Sequence, residues 1–187
     1  MSHFDPPFPA LEEVRQLNRL FLGFLRSRPA IAAEDFGLSR SATEPLASAT
    51  LEQIDRAASF PRALFRLHLP QESPGAVMDP LGAARDPGRR VLQLTLLQSA
   101  WHLCRSGGYA ARLLLRLNDA EIKQLRNAEM QDIVLLSLAA DIVRVAFDDF
   151  DGIWRELLME SRPEQRRRLL LFGLQPDPSL LPAAAMA

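Results

Sequence analysis

The chain has 187 residues, 48% hydrophobic and 24% charged, with a formal net charge of −1. That is enough apolar material for one large domain or two small ones, and the charge balance excludes a strongly basic protein that grips nucleic acid unaided. A single cysteine, Cys104, excludes an internal disulfide and a cysteine-built zinc site. Lys123 is the only lysine; the other basic residues are arginines, which suits bidentate contacts to carboxylate or phosphate and equally a codon preference. Met1 to Pro9 is polar and proline-rich, unlike a signal peptide, and apolar runs such as 134–140 are too short to cross a bilayer. The expectation is a cytoplasmic protein.

From Pro9–Ala10, Leu11, Val14, Leu17, Leu20, Phe21, Phe24 and Leu25 recur at spacings of mostly three and four. That spacing predicts an amphipathic helix ending near Arg28–Pro29, because the residue before proline is pushed out of the α region. A short helix over 30–36 closes on Gly37, and Ser39 is placed to cap a third over about 40–47. Thr50, with Gln53 three residues on, predicts a capping box on a fourth. Residues 63–69 (ALFRLHL) alternate weakly, as a short strand would.

Three prolines and three glycines fall between Gln71 and Arg90, which reads as a linker over 70–90 between a unit at 10–69 and another at 91–174. In the second unit a long helix over 90–105 breaks at Ser106-Gly107-Gly108. Helices follow over 109–115 and 120–126, the latter capped by Asn118 or Asp119, and over 128–140, capped by Asn127. Residues 142–147 are partly β-branched, and two more helices are expected near 149–160 and 163–172, stopped by Gly173 before a Pro- and Ala-rich tail over 175–187. Sliding the chain by 79 positions sets Leu17 on Leu96, Arg26-Ser27 on Arg105-Ser106, Ala32 on Ala111, Leu38 on Leu117, Leu46 on Leu125, Ala49 on Ala128 and Ile54 on Ile133. Either the unit is duplicated or two helical units coincide in their order of breaks; the apolar phase favours duplication. The expected fold class is all-α, with two related multi-helix units in tandem.

Motifs with possible chemistry are few. Ala33-x-x-x-Gly37-x-Ser39 has helix-turn-helix spacing, and the helix after it would expose Arg40, Ser41, Thr43 and Glu44, with Pro45 inside it. An ordinary helical turn has the same spacing. The second half has Arg112 and Arg116 at the Ala and Gly positions. His3, His68 and His102 are too scattered for a metal site, and Cys104 reads as a small buried hydrophobe. Asp148-Asp149 and Asp151 lack the ligand spacing of a calcium loop and suit a helix cap instead. Arg166-Arg167-Arg168 is the densest basic run, either a solvated helix face or a contact to phosphate or an acidic partner. There is no glycine-rich phosphate loop and no Ser/His/Asp arrangement, so neither catalysis, a cofactor, a metal nor a small-molecule substrate is expected.

Residues 17–69 resemble the FlhD family of bacterial flagellar transcriptional regulators. The likeness rests on LNRLFLGFLRSR, on FGLSRSATEPLASATLEQIDRAA (Phe36 to Ala58) and on LFRLHL (Leu64 to Leu69), with Gly37-Leu38-Ser39, Leu46, Ser48, Leu51, Gln53 and Arg66 falling where the family pattern expects them. The second half resembles a diverged copy of that unit, or the helical front of the partner family, FlhC, without its zinc-binding cysteines. Similar proteins also serve as master activators of integrative and conjugative elements. The resemblance implies an all-α hetero-oligomer, self-associated or joined to an FlhC-like partner, that contacts promoter DNA mainly through the complex. Phe65 stands where the flagellar proteins suggest an intersubunit cysteine, so a covalent dimer is not implied.

Two functions follow as expectations. One is a transcriptional activator subunit presenting Ser39, Arg40, Ser41 and Thr43, with Arg89, Arg90 and Arg166 to Arg168, to DNA. The other is a protein-binding adaptor or anti-activator in a secretion or conjugative-transfer system.

Overall fold

A computed structural model of the chain describes residues 9–70, 86–139, 142–147 and 151–159, together with 164 and 168. Among them are nine helices and two three-residue strands, so the fold is all-α. Helix α1 (Pro9–Ser27) buries Val14, Leu17, Phe21, Leu22 and Leu25 on one stripe and stops at the Arg28–Pro29 step. Pro29 opens α2 (Pro29–Glu34) at a position where its missing N–H costs nothing. Helix α3 (Arg40–Ser48) buries Ala42 and Leu46. The expected capping box on α4 (Leu51–Ala58) is present: the Gln53 N–H donates to Thr50 Oγ1 at 3.2 Å, and the Thr50 N–H donates to Gln53 Oε1 at 2.7 Å. Strand β1 is Phe65–Leu67.

The same order then recurs. Helix α5 spans Pro87–Ser106, α6 Gly108–Leu115, α7 Asp119–Asn127, α8 Met130–Leu136 and β2 Val143–Val145. The 79-residue slide sets the N-cap Ser39 on Asn118 and the N-cap Thr50 on Glu129. Several boundaries differ from the sequence expectation, among them the end of α8 at Leu136 rather than near 140 and that of α2 at Glu34 rather than 36. Helix α5 starts at Pro87, so residues 87–90 of the expected linker are helical: Asp86 accepts from the Arg89 N–H at 3.1 Å and Pro87 supplies a ready helical first position. Helix α8 starts after Glu129 rather than Asn127, which is the last residue of α7; the Asp132 carboxylate accepts from the Glu129 N–H at 2.9 Å. Linker residues 71–85, most of the expected helix over 163–172 and the tail over 175–187 lie outside the described residues.

The two strands pair with each other, antiparallel, with Phe65 opposite Val145, Arg66 opposite Arg144 and Leu67 opposite Val143. Helix α9 (Asp151–Met159), from the second half, packs against α3 and α4 of the first. Buried apolar side chains of both halves form one continuous cluster, reaching from Val14 and Phe21 through Leu64, Leu96 and Leu117 to Trp154.

A polar line runs through this cluster. Asn18 of α1 is fully buried. Its amide nitrogen donates to the Arg62 carbonyl at 2.9 Å and reaches those of Ala58 and Phe60 at 3.3 and 3.4 Å. Its Oδ1 accepts from the Leu64 N–H at 2.8 Å. The Leu64 carbonyl accepts from the Ala146 N–H at 2.9 Å, and the Ala146 carbonyl accepts from the indole N–H of buried Trp154 at 3.0 Å. One side chain thus satisfies the connection between α4 and β1 and ties it, through Leu64 and Ala146, to α9.

Replacing Asn18 leaves several buried backbone groups without partners. Asn18→Ala is expected to lower the unfolding free energy by about 3 kcal/mol, whereas exposed Gln16→Ala changes it by less than about 0.5 kcal/mol. Urea titrations followed by far-UV circular dichroism measure both.

Candidate nucleic-acid interface

The turn between α2 and α3 is built around Gly37. Gly37 takes a left-handed conformation, φ 73°, and the Leu38 N–H reaches back to the Ala32 carbonyl at 3.0 Å. The turn is braced from the second half. The Val145 N–H donates to the Phe36 carbonyl at 2.9 Å. The Phe36 ring meets Phe21 and Phe24 edge-on, both at 5.8 Å. The Arg89 guanidinium binds the Asp35 carboxylate at 2.6 Å and lies 5.5 Å from the Phe36 ring centroid.

This geometry sorts the candidate contacts. Arg40 and Ser41 are exposed on the first turn of α3. Ser39 occupies the N-cap position, but its hydroxyl pairs with that of Ser41 at 2.9 Å rather than with the helix backbone. The Thr43 hydroxyl donates to the Ser39 carbonyl at 2.9 Å and so serves the helix itself. Arg89 has a side chain only 15% exposed and is engaged with Asp35, so it acts as a strut for the turn. Arg90 is exposed on α5, away from that strut, and Arg168 is exposed too. Arg166 and Arg167 lie outside the described residues, as do His3, Asp148 and Asp149.

The second half also has a left-handed residue between its second and third helices, but α6 runs to Leu115 before it, whereas α2 ends at Glu34. Arg116, which the 79-residue slide sets on Gly37, also has positive φ, 57°. A non-glycine residue is strained there. The Arg116 guanidinium lies 3.6 Å from the Phe147 ring centroid, a cation–π contact that offsets part of that cost. The motif is lost in sequence, while the positive φ is common to both positions. Its following helix, α7, is capped by Asn118 and Glu121 with bonds of 2.8 and 2.9 Å.

Two arginines were not among the candidate contacts expected from sequence. Arg66 and Arg144 are exposed and directly opposed on the two-stranded ribbon. Like charges so placed repel, and their closeness depends on a pairing that no local pattern announces. Glu121 lies near enough to Arg66 to be influenced by it. Burial raises the Glu121 carboxyl above its ordinary 4.5, while the Asn118 N–H and Arg66 pull it down. Cys104 is buried, and its thiol is pushed up to about 11 by burial, against the opposing pull of Arg126. His68 and His102 are both exposed. No group of three or more His, Cys, Asp or Glu side chains able to hold a metal occurs among the described residues. No helix among them is long and apolar enough to cross a membrane. No protein-family model, curated protein or solved structure matches the chain.

Two outcomes follow. Arg89→Ala is expected to lower stability by about 1 kcal/mol in urea through loss of a half-buried ion pair and ring packing, whereas Arg90→Ala leaves the midpoint unchanged. For Glu121, the raised folded-state value means that protonation favours the folded chain. That contribution is full below the unfolded value near 4.5 and is lost as pH rises through the folded value. Glu121→Gln keeps the capping oxygen without the charge. Its melting temperature is therefore expected to exceed that of the wild type at pH 7, the gap closing below about pH 4.5. A gap that persists at pH 4 contradicts this account.

Proposed function

We propose that the chain is a subunit of an FlhD/FlhC-type transcriptional activator in the cytoplasm, reaching promoter DNA through α3 as part of a hetero-oligomer. The observation that carries this reading is the braced turn between α2 and α3, which holds Arg40 and Ser41 outward on the first turn of α3. A rigidly held helix with a cation and hydroxyls at its N-terminal end suits phosphate and base-edge contacts. The resemblance of residues 17–69 to the FlhD family supports the same assignment.

Charge argues for a shared complex. The exposed face of α3 carries Glu44 as well as Arg40, and the whole chain has a net charge of −1. Non-specific affinity comes chiefly from phosphate neutralisation, so a partner supplies most of it. An FlhC-like protein bearing zinc-binding cysteines fits that role.

Gel-shift titration against DNA upstream of the neighbouring genes, with and without such a partner, tests the proposal. A shift is expected with the partner present. Arg40→Ala is expected to weaken it several-fold and to reduce the salt-dependence slope by about 1. Arg89→Ala is expected to act only as far as it loosens the fold. No shift in either condition removes the activator reading and leaves the protein-binding adaptor.

A further inference from the structure

The second turn bears a pocket with a positively charged lining. Between α6 and α7 is a surface pocket of about 410 Å³. Three cations line it: Arg112, Lys123 and Arg126. The single acid on its wall is Asp119, which is ion-paired with Arg112. Tyr109 stands at its edge with 79% of its surface exposed, the chain's only tyrosine, and Ile122 supplies an apolar wall. Under the 79-residue slide the three cations replace Ala33, Glu44 and Ala47 of the first half. The frame is common to both halves, and the positive lining belongs to one.

Arg126 is set in place. Its Nε donates to the Cys104 carbonyl at 3.2 Å, at the end of α5. A Cβ on Gly108 would lie 3.0 Å from Arg126 Nη2, so glycine there lets the guanidinium lie close beneath the start of α6. With Nε engaged by backbone, the outer nitrogens are the ones directed to a ligand. Three cations against one carboxylate leave a surplus of two positive charges on the wall, the complement of a phosphate ester. A lone exposed tyrosine ring beside such a surplus suits a planar base, which stacks on aromatic faces irrespective of its identity. The volume falls in the range of small-ligand sites, about 300–1,000 Å³.

We propose that this pocket binds a nucleoside phosphate, with the phosphate held by Arg112, Lys123 and Arg126 and the base laid on Tyr109. Asp119 competes with the phosphate for Arg112, so it sets the affinity from the other side. The site is independent of the DNA-binding reading, because none of its residues lies on α3.

Isothermal titration of the full chain at low salt with ADP, adenosine, pyrophosphate and a short duplex with 5′-hydroxyl ends decides the matter. ADP is expected to bind more tightly than adenosine or pyrophosphate. Lys123→Gln is expected to weaken ADP about tenfold, as loss of a charge-assisted contact does. Tyr109→Ala is expected to weaken ADP about tenfold, to the level of pyrophosphate. Asp119→Asn is expected to strengthen ADP, a gain that damage to the fold would not produce. All three side chains are exposed, and unchanged melting temperatures confirm folded variants. Arg40→Ala is expected to leave ADP binding unmoved. The proposal is overturned if pyrophosphate binds as well as ADP and Tyr109→Ala has no effect, which indicates a plain anion site. It is equally overturned if only the duplex binds in a Lys123-dependent way, or if ADP affinity ignores Lys123→Gln.

Discussion

Asn18 is the hinge of the architecture because it solves a problem that the short sheet cannot solve alone. Two strands of three residues make too few ladder bonds to persist by themselves. The backbone leading into β1 is buried, and its polar groups must find partners within the protein. The Asn18 amide meets that need with a donor aimed at Arg62 and an acceptor for Leu64. Leu64 is then free to offer its carbonyl to Ala146, and Ala146 its own to Trp154. Each link leaves the next residue one group with which to continue. The second half uses an amide for the same connection from a different place. Leu97 occupies the slot equivalent to Asn18, and buried Gln93, one turn earlier, reaches the Ala139 carbonyl at 3.4 Å. The requirement is common to both halves, and the residue that meets it has moved.

The cross-pairing of the halves is not that of a symmetric dimer. A symmetric dimer of one unit would pair its strand with the identical strand of its partner, antiparallel, with one residue facing its own copy. Here Arg66 faces Arg144, whereas the 79-residue slide sets Arg66 on Val145, so the pairing lies one residue out of that symmetric register. Gly37 and Arg116 both have positive φ, with unrelated side chains. The strained Arg116 is stabilised by the Phe147 ring, 3.6 Å from its guanidinium.

The helices were legible because their causes are local. Thr50 with Gln53, and Asn118 with Glu121, lie three residues apart and bond to each other, so the residues alone specify the cap. The start of α5 was hidden because Asp86-Pro87 sits in a stretch dense with proline and glycine, where a helix opening and a loop share their residues. The roles of Asn18 and Arg89 were not legible. Each depends on a partner more than forty residues away, Leu64 for one and Asp35 for the other. An arginine read as an exposed cation thus becomes a strut once the fold supplies its carboxylate. The strand-forming character of residues 63–69 was readable, but nothing in either strand names the other as its partner.

That distinction between local and distant causes also separates the two turns. At the first, the outward helix carries Arg40 and Glu44 and is close to neutral, so its contribution to binding lies in position more than in charge. Position is what the brace from Val145, Phe21, Phe24 and Arg89 secures. At the second, Lys123 stands at the place of Glu44, which reverses the charge at one structural position, and Arg126 adds a cation where Ala47 stands. A frame that keeps its backbone under such exchanges is free to direct its two outward helices at different chemistries. A charge reversal on a solvated helix leaves the core untouched and so costs little stability; its consequences fall on whatever approaches that face.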